Sequence, residues 1–206
     1  ELGFDRSMIM SYGQDDRVCA YTSLAAMLGT DAELEKTACC LLVDKEEIGS
    51  VGATGMQSKF FENVVAELIS LEGDYNDLKL RRCLANSKML SSDVNAGYDP
   101  LFADAFEKKN ASFCGRGVVF SKFTGSRGKS GSNDANAEYI AKLRKIMDDN
   151  NVHYQMAELG KVDVGGGGTI AYIMSLYGME VIDCGVAILN MHAPWEIASK
   201  ADVYEA

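Results

Sequence analysis

What most constrains this chain is an alternation. Short apolar runs, several rich in branched residues, are separated by stretches whose apolar residues recur three and four positions apart. Runs of strand length interleaved with amphipathic helices are the pattern of a sheet layered between helices, so an α/β domain is expected. Strands are predicted over residues 36–43 (KTACCLLV), 89–94 and 118–123, over 153–159, around Val181 and over 186–189. Helices are predicted over 18–28, 57–71, 76–84 and 135–147, and from the glycine run 165–168 to Leu176. In the first, Val18, Tyr21, Thr22, Ala25 and Leu28 share a stripe that predicts a buried helix, and Gly29 supplies a stop. In the second, Phe60, Val64, Leu68 and Leu71 form the apolar stripe. There is no internal repeat and no domain linker.

Charge and composition narrow the function. Thirty acidic residues against twenty basic ones leave a net charge of -10, which repels a phosphate backbone and argues against a nucleic-acid partner. No apolar run approaches the roughly 20 residues that a membrane helix needs, so no membrane partner is expected. The six cysteines show no two-residue spacing of a zinc knuckle or redox motif and lie mostly in apolar segments. Buried, reduced thiols and a cytoplasmic setting are the reading. The chain begins at Glu1, and residues 201–206 read as a helix with no glycine or proline to end it. A piece of a longer polypeptide is expected on those grounds.

Carboxylates collect where strands end. Asp44-Lys45-Glu46-Glu47-Ile48-Gly49-Ser50 places three acids within four positions just past an apolar run. Neighbouring side chains diverge, so two consecutive glutamates can divide a ligand's task from a base's; the plain alternative is a solvated turn. Asp15-Asp16 precede the first helix, where capping is the ordinary role of an acid. Asp93 follows a strand, and in open α/β sheets ligands bind beyond the carboxyl ends of strands. Of two histidines, His192 lies past the apolar run 186–189 and before Pro194-Trp195-Glu196, which reads as the start of a helix, whereas His153 is structural. Oxygen and imidazole donors without thiolate suit zinc, manganese or cobalt in a hydrolytic centre. The segment 125–132 reads as a polar, flexible, basic connection. The glycines 165–168 precede a helix, as in anion-binding loops, but Thr169-Ile170 stand where a phosphate loop carries lysine. Nucleotide binding is the weaker reading of that run.

Four segments in order, Gly13-Gln14-Asp15-Asp16-Arg17-Val18, residues 44–50 (DKEEIGS), Ser91-Ser92-Asp93-Val94-Asn95 and Asn190-Met191-His192, resemble the metal-site segments of the aspartyl aminopeptidase-like family of two-metal aminopeptidases. The resemblance spans nearly the whole chain. It implies a three-layer α/β/α sandwich with a mixed, mostly parallel sheet. It also implies two divalent metal ions, zinc foremost, with Asp15 bridging them, Glu47 and His192 on one, Asp93 on the other, and Glu46 as general base. A glycine-containing segment borders the substrate pocket in the family, which points to Gly167 and Gly168 for contacts to a peptide. The implied substrates are peptides with a free amino terminus, and the implied full-length assembly is a homo-oligomer.

The chain departs from the family in one respect. Members carry a further histidine in a His-x-Asp segment upstream and a separate assembly domain, and neither histidine here stands in such a string. Residues 1–206 are therefore expected to be a truncated catalytic domain in which the metal of Asp15, Glu47 and His192 has its full set and the metal of Asp15 and Asp93 lacks an imidazole. The competing expectation is a non-catalytic fragment or inactive subunit that keeps the fold and at most one metal.

Overall fold

The computed structural model describes residues 1–127, 130–161, 163–164, 166–167 and 170–206. In chain order the elements are β1 (Met8–Ser11), α1 (Gln14–Leu28), α2 (Phe60–Leu71), α3 (Asp77–Ala85), β2 (Lys88–Ser91), β3 (Asn95–Ala96), β4 (Val118–Ser121), β5 (Phe123–Ser126) and β6 (Ser130–Asp134). They continue with α4 (Ala137–Asp149), β7 (Tyr154–Ala157), α5 (Ala171–Ser175), β8 (Glu180–Gly185), β9 (Ala187–Leu189), β10 (Glu196–Ser199) and α6 (Lys200–Glu205).

The central sheet has the order β2-β8-β4-β7. β8 pairs parallel with β2 and antiparallel with β4, and β4 pairs parallel with β7, so two of its three ladders are parallel. Side chains alternate across a strand, and adjacent residues of β8 separate two cores. Val181 joins Leu80, Leu84, Ala171 and Met174 under α3 and α5, whereas Ile182 joins Phe120, Tyr139 and Leu143 under α4. Burial of each such side chain contributes roughly 1.5–3 kcal/mol. Helices on both faces make the α/β/α layering. A second sheet, β1-β10-β9-β3, follows directly from β8 through Val186, and β5 and β6 form a separate hairpin.

Several elements depart from the sequence reading. Residues 36–43 are not a strand: no neighbouring ladder receives them, they run mostly exposed, and only Leu41 and Val43 rest on the core. α1 is not a buried helix, because it touches the core along one edge through Cys19 and Thr22 while Tyr21 and Leu28 are exposed. In α2 the predicted stripe Phe60, Val64, Leu68 and Leu71 is the exposed one. The inward stripe, Phe61, Val65 and Ile69, lies one residue further along and has the same spacing, so periodicity alone could not choose between them. The segment 125–132 is not a free connection: residues 125–126 belong to β5 and 130–132 to β6, while 128–129 lie outside the described residues, and the strand pair is tied to the sheet where Asn133 Nδ2 donates to the Val181 carbonyl at 3.0 Å. Pro194 and Trp195 finish a turn, and Glu196 opens a strand instead of a helix. All six cysteines are free, but Cys39 and Cys83 are exposed, not buried. No helix among the described residues is long and apolar enough to cross a membrane.

Candidate metal centre

Four loops bring the acids and the imidazole together. Gly13, in the left-handed conformation at φ 65°, turns the chain from β1 into α1, and Asp15 and Asp16 sit in the first turn with non-helical dihedrals, joined by a cis peptide bond. They are thus part of the helix entry, not caps ahead of it. Glu46 and Glu47 open a single 3-10 turn, Glu46–Ile48, bracketed by left-handed Lys45 and Gly49. That loop is closed by Ser50 N–H on the Lys45 carbonyl at 2.7 Å and by Gln57 Nε2 on the Gly49 carbonyl at 2.7 Å. Asp93 lies two residues past β2, above Gly185, where a Cβ would fall 1.8 Å from the Asp93 carbonyl oxygen; only glycine permits that approach. His192 follows β9 in a tight turn in which Asn190 and His192 both have positive φ.

The side chains converge on one cleft of about 540 Å³, lined by Asp15, Glu46, Glu47, Asp93 and His192. His192 Nε2 is 2.9 Å from Asp15 Oδ2 and 3.2 Å from Glu47 Oε2. Asp15 forms the floor, its side chain 8% exposed, and Glu47 and His192 stand at the rim, 55% and 63% exposed. A second set, Asp15, Asp16 and Asp93, offers one carboxylate oxygen each, all within 4.8 Å of one another. Gly167 also borders the cleft; Gly168 lies outside the described residues.

Crowded, half-buried carboxylates resist ionisation. Asp15 is pushed up to about 6, first by burial and then by Glu47, with His192 opposing. Asp16 is pushed up to about 7 by burial, against a hydrogen bond from Cys19. Burial followed by Glu47 and Asp15 lifts Glu46 to about 7. Asp93 lies well above the usual carboxylate range, through burial and then Asp16 and Glu46. Asp16 Oδ1 is buried with no hydrogen-bond partner. These acids crowd a common centre where mutual repulsion and burial oppose their ionisation, a condition a divalent cation relieves. Two carboxylate oxygens and an imidazole nitrogen are ordinary zinc donors, so the first set fits zinc, while the second offers oxygen alone.

The family model described as aminopeptidase I zinc metalloprotease (M18) matches residues 1–206. The chain belongs to the M18 family of zinc aminopeptidases. It is 66% identical over 205 residues to a probable M18 family aminopeptidase 1 of Clostridium acetobutylicum, covering all of this chain and 44% of that protein. The crystal structure of aminopeptidase I from C. acetobutylicum superposes with a TM-score of 0.90 at 65% identity, over 99% of this chain and 43% of that one. The M18 aminopeptidase structure from Thermotoga maritima gives a TM-score of 0.94 at 45% identity, over 100% and 45%. The chain thus spans under half the length of these M18 relatives.

Two buried acids next to these residues of the cleft escaped the sequence reading. Asp183, buried on β8, adds to the negative charge felt by Asp93 and Glu46. Glu196 is 2% exposed and touches two of the predicted ligands through their backbones: Oε2 accepts Asp15 N–H at 3.0 Å and Oε1 accepts His192 N–H at 2.8 Å. The available signal was the same for both, an acid set into an otherwise apolar run, Val181-Ile182-Asp183 and Glu196-Ile197-Ala198.

Proposed function

We propose that this chain supplies the general base and most of the metal ligands of a two-metal M18 aminopeptidase, which releases the amino-terminal residue of a peptide. The observation that carries the reading is the meeting of Asp15, Glu47 and His192 at 2.9 and 3.2 Å beside Glu46. Asp15, Glu47 and His192 would hold one metal, and Asp15 with Asp93 would serve the other. Zinc, or cobalt or manganese in its place, supplies Lewis acidity that lowers the pKa of water and polarises the scissile carbonyl. Glu46, with its carboxyl near 7, accepts the proton of the attacking water at a carboxylate oxygen and delivers it to the nitrogen of the departing amine. The acids of the cleft attract the substrate's ammonium group, which restricts cleavage to the amino end. The main chain at Gly167, and in the same reading at Gly168, holds the peptide.

In the same proposal residues 1–206 form the carboxyl-terminal part of a catalytic domain. The imidazole absent from the second set belongs to a His-x-Asp segment elsewhere in the polypeptide, together with an assembly domain. The exposed stripe of α2, Phe60, Val64, Leu68 and Leu71, favours burial in a homo-oligomer, and the free thiols favour a cytoplasmic setting. The oxygen-only character of the second set supports a second reading, a chain that holds one metal and is catalytically silent alone.

Zinc analysis after dialysis, with hydrolysis of aminoacyl reporter amides by this chain and by a longer polypeptide bearing His-x-Asp, tests the proposal. One tightly held zinc in the chain, with turnover gained in the longer form, is expected. A longer form that binds zinc yet cleaves nothing selects the silent reading, and failure of both to bind divalent metal overturns the proposal.

A further inference from the structure

Glu196 is not among the residues that line the cleft, yet it is the piece that ties two distant loops of the site together. Its carboxylate is buried at the first position of β10, where register pairs it with Ser11 of β1. One oxygen accepts the N–H of Asp15, 181 positions away in sequence, and the other accepts the N–H of His192. The backbone of Glu196 is fixed in turn: Gln14 Nε2 donates to its carbonyl at 2.6 Å and to the Ile9 carbonyl at 3.0 Å. Gln14 is itself buried. A carboxylate with two N–H donors forms strong, directional bonds, and here each donor belongs to a proposed metal ligand whose backbone is irregular. Asp15 sits at ψ 105° inside a helical turn. His192 has φ 65°, a conformation rare for a residue with a side chain.

We propose that Glu196 is a positioning residue which sets the separation between the Asp15 carboxylate and the His192 imidazole, and so the zinc affinity of the first set. The inference rests on the reading of Asp15, Glu47 and His192 as metal ligands and adds to it the group that holds two of them in place. A glutamine at 196 keeps the shape but exchanges one acceptor oxygen for a donor NH2, which opposes one of the two N–H groups. Residues that orient metal ligands typically change affinity by roughly 10–100-fold when altered.

The test is competition for zinc against a chromophoric chelator, with the visible spectrum of the cobalt-loaded chain, on the wild type, Glu196→Gln and Gln14→Met. Glu196→Gln is expected to bind zinc roughly 10–100-fold more weakly and to shift the cobalt d–d bands, because ligand geometry changes, while its far-ultraviolet circular dichroism stays that of the wild type. Gln14→Met, which removes the ties on the Glu196 and Ile9 carbonyls and leaves the Glu196 carboxylate intact, is expected to weaken zinc by a smaller factor, and it decides the matter if Glu196→Gln does not fold. Wild-type affinity and wild-type cobalt bands in the folded variants overturn the positioning role while leaving the ligand assignment intact. A wild-type chain that binds no zinc overturns the ligand assignment and this role together.

Discussion

Two groups of buried carboxylates differ in what surrounds their charge. Asp202 of α6 is fully buried, and its two oxygens accept the N–H groups of Gly115 at 2.6 Å and Gly117 at 2.7 Å; Glu196 likewise accepts two backbone N–H groups. Burial still raises Asp202, but the two N–H donors pull it back. At the cleft floor Asp15, Asp16, Glu46 and Asp93 are crowded by one another, and like charge adds to burial in lifting each of them. Burial alone therefore does not mark a functional acid. What separates the two groups is the balance around each carboxylate: two backbone N–H donors apiece in one, and in the other a crowd of further acids, opposed by the His192 imidazole at Asp15 and Glu46 and by Cys19 and the Val94 backbone at Asp16.

The contrast can be broken from either side. The largest effect is expected at Glu46: in a polypeptide that cleaves aminoacyl reporters, Glu46→Gln lowers turnover by roughly 10²–10⁴-fold with zinc content unchanged, read by steady-state kinetics and metal analysis. A variant with wild-type turnover removes Glu46 as base. Next, His192→Ala takes the only nitrogen from the first set and is expected to weaken zinc by about 100-fold, at the upper end of what even an outer-shell change produces, in a chelator competition. Asp202→Ala leaves two buried N–H groups without acceptors and is expected to lose about 2–4 kcal/mol of stability in urea unfolding. Asp16→Asn, by contrast, relieves repulsion and should stabilise the metal-free chain at pH 8 by on the order of 1 kcal/mol. Equal destabilisation by both would erase the distinction between the two groups.

The smallest effect is in pH dependence. Asp15 rises from 3.8 to about 6, and Asp16 and Glu46 from 3.8 and 4.5 to about 7. A carboxyl whose folded pKa exceeds its unfolded one binds its proton more tightly in the native state. Its stabilising contribution is complete below about pH 4 and is lost as the pH rises through 6 to 7. The melting temperature of the metal-free chain should therefore fall by a few degrees between pH 5 and 8, about what 1 kcal/mol is worth in a domain of this size, and saturating zinc should flatten the slope. A metal-free melting temperature that rises over that window contradicts that balance.

How far the residues disclosed all this depends on which interaction fixed each element. β8 and α4 were legible as elements because their periods are local: a strand around Val181 and a helix over 135–147 are expected from the residues, and β8 (Glu180–Gly185) and α4 (Ala137–Asp149) are found there. α2 was legible as a helix but not in its facing, since both of its stripes are apolar and only the neighbours distinguish Phe61 from Phe60. Residues 36–43 have the composition of a strand, yet a strand exists only where a ladder receives it, and no sequence window reports that. Asp15, Glu47, Asp93 and His192 stood out because they fall at strand ends or loop-to-helix junctions, but their ligand roles came from the family resemblance, since the residues alone left Asp15 a helix cap and the acids of 44–50 a solvated turn. Glu196 did not stand out, because its work is done through the backbones of other residues. A hydrogen bond spanning 181 positions leaves no local trace.

X-ray absorption at the zinc edge, on the chain loaded with one equivalent of zinc, tests the central claim most directly. The account predicts a first shell of oxygen with a single imidazole nitrogen at about 2.0–2.1 Å and no sulfur, and loss of the imidazole scattering in His192→Ala. A shell containing sulfur at about 2.3 Å, or one unchanged in His192→Ala, would place the metal elsewhere and contradict it.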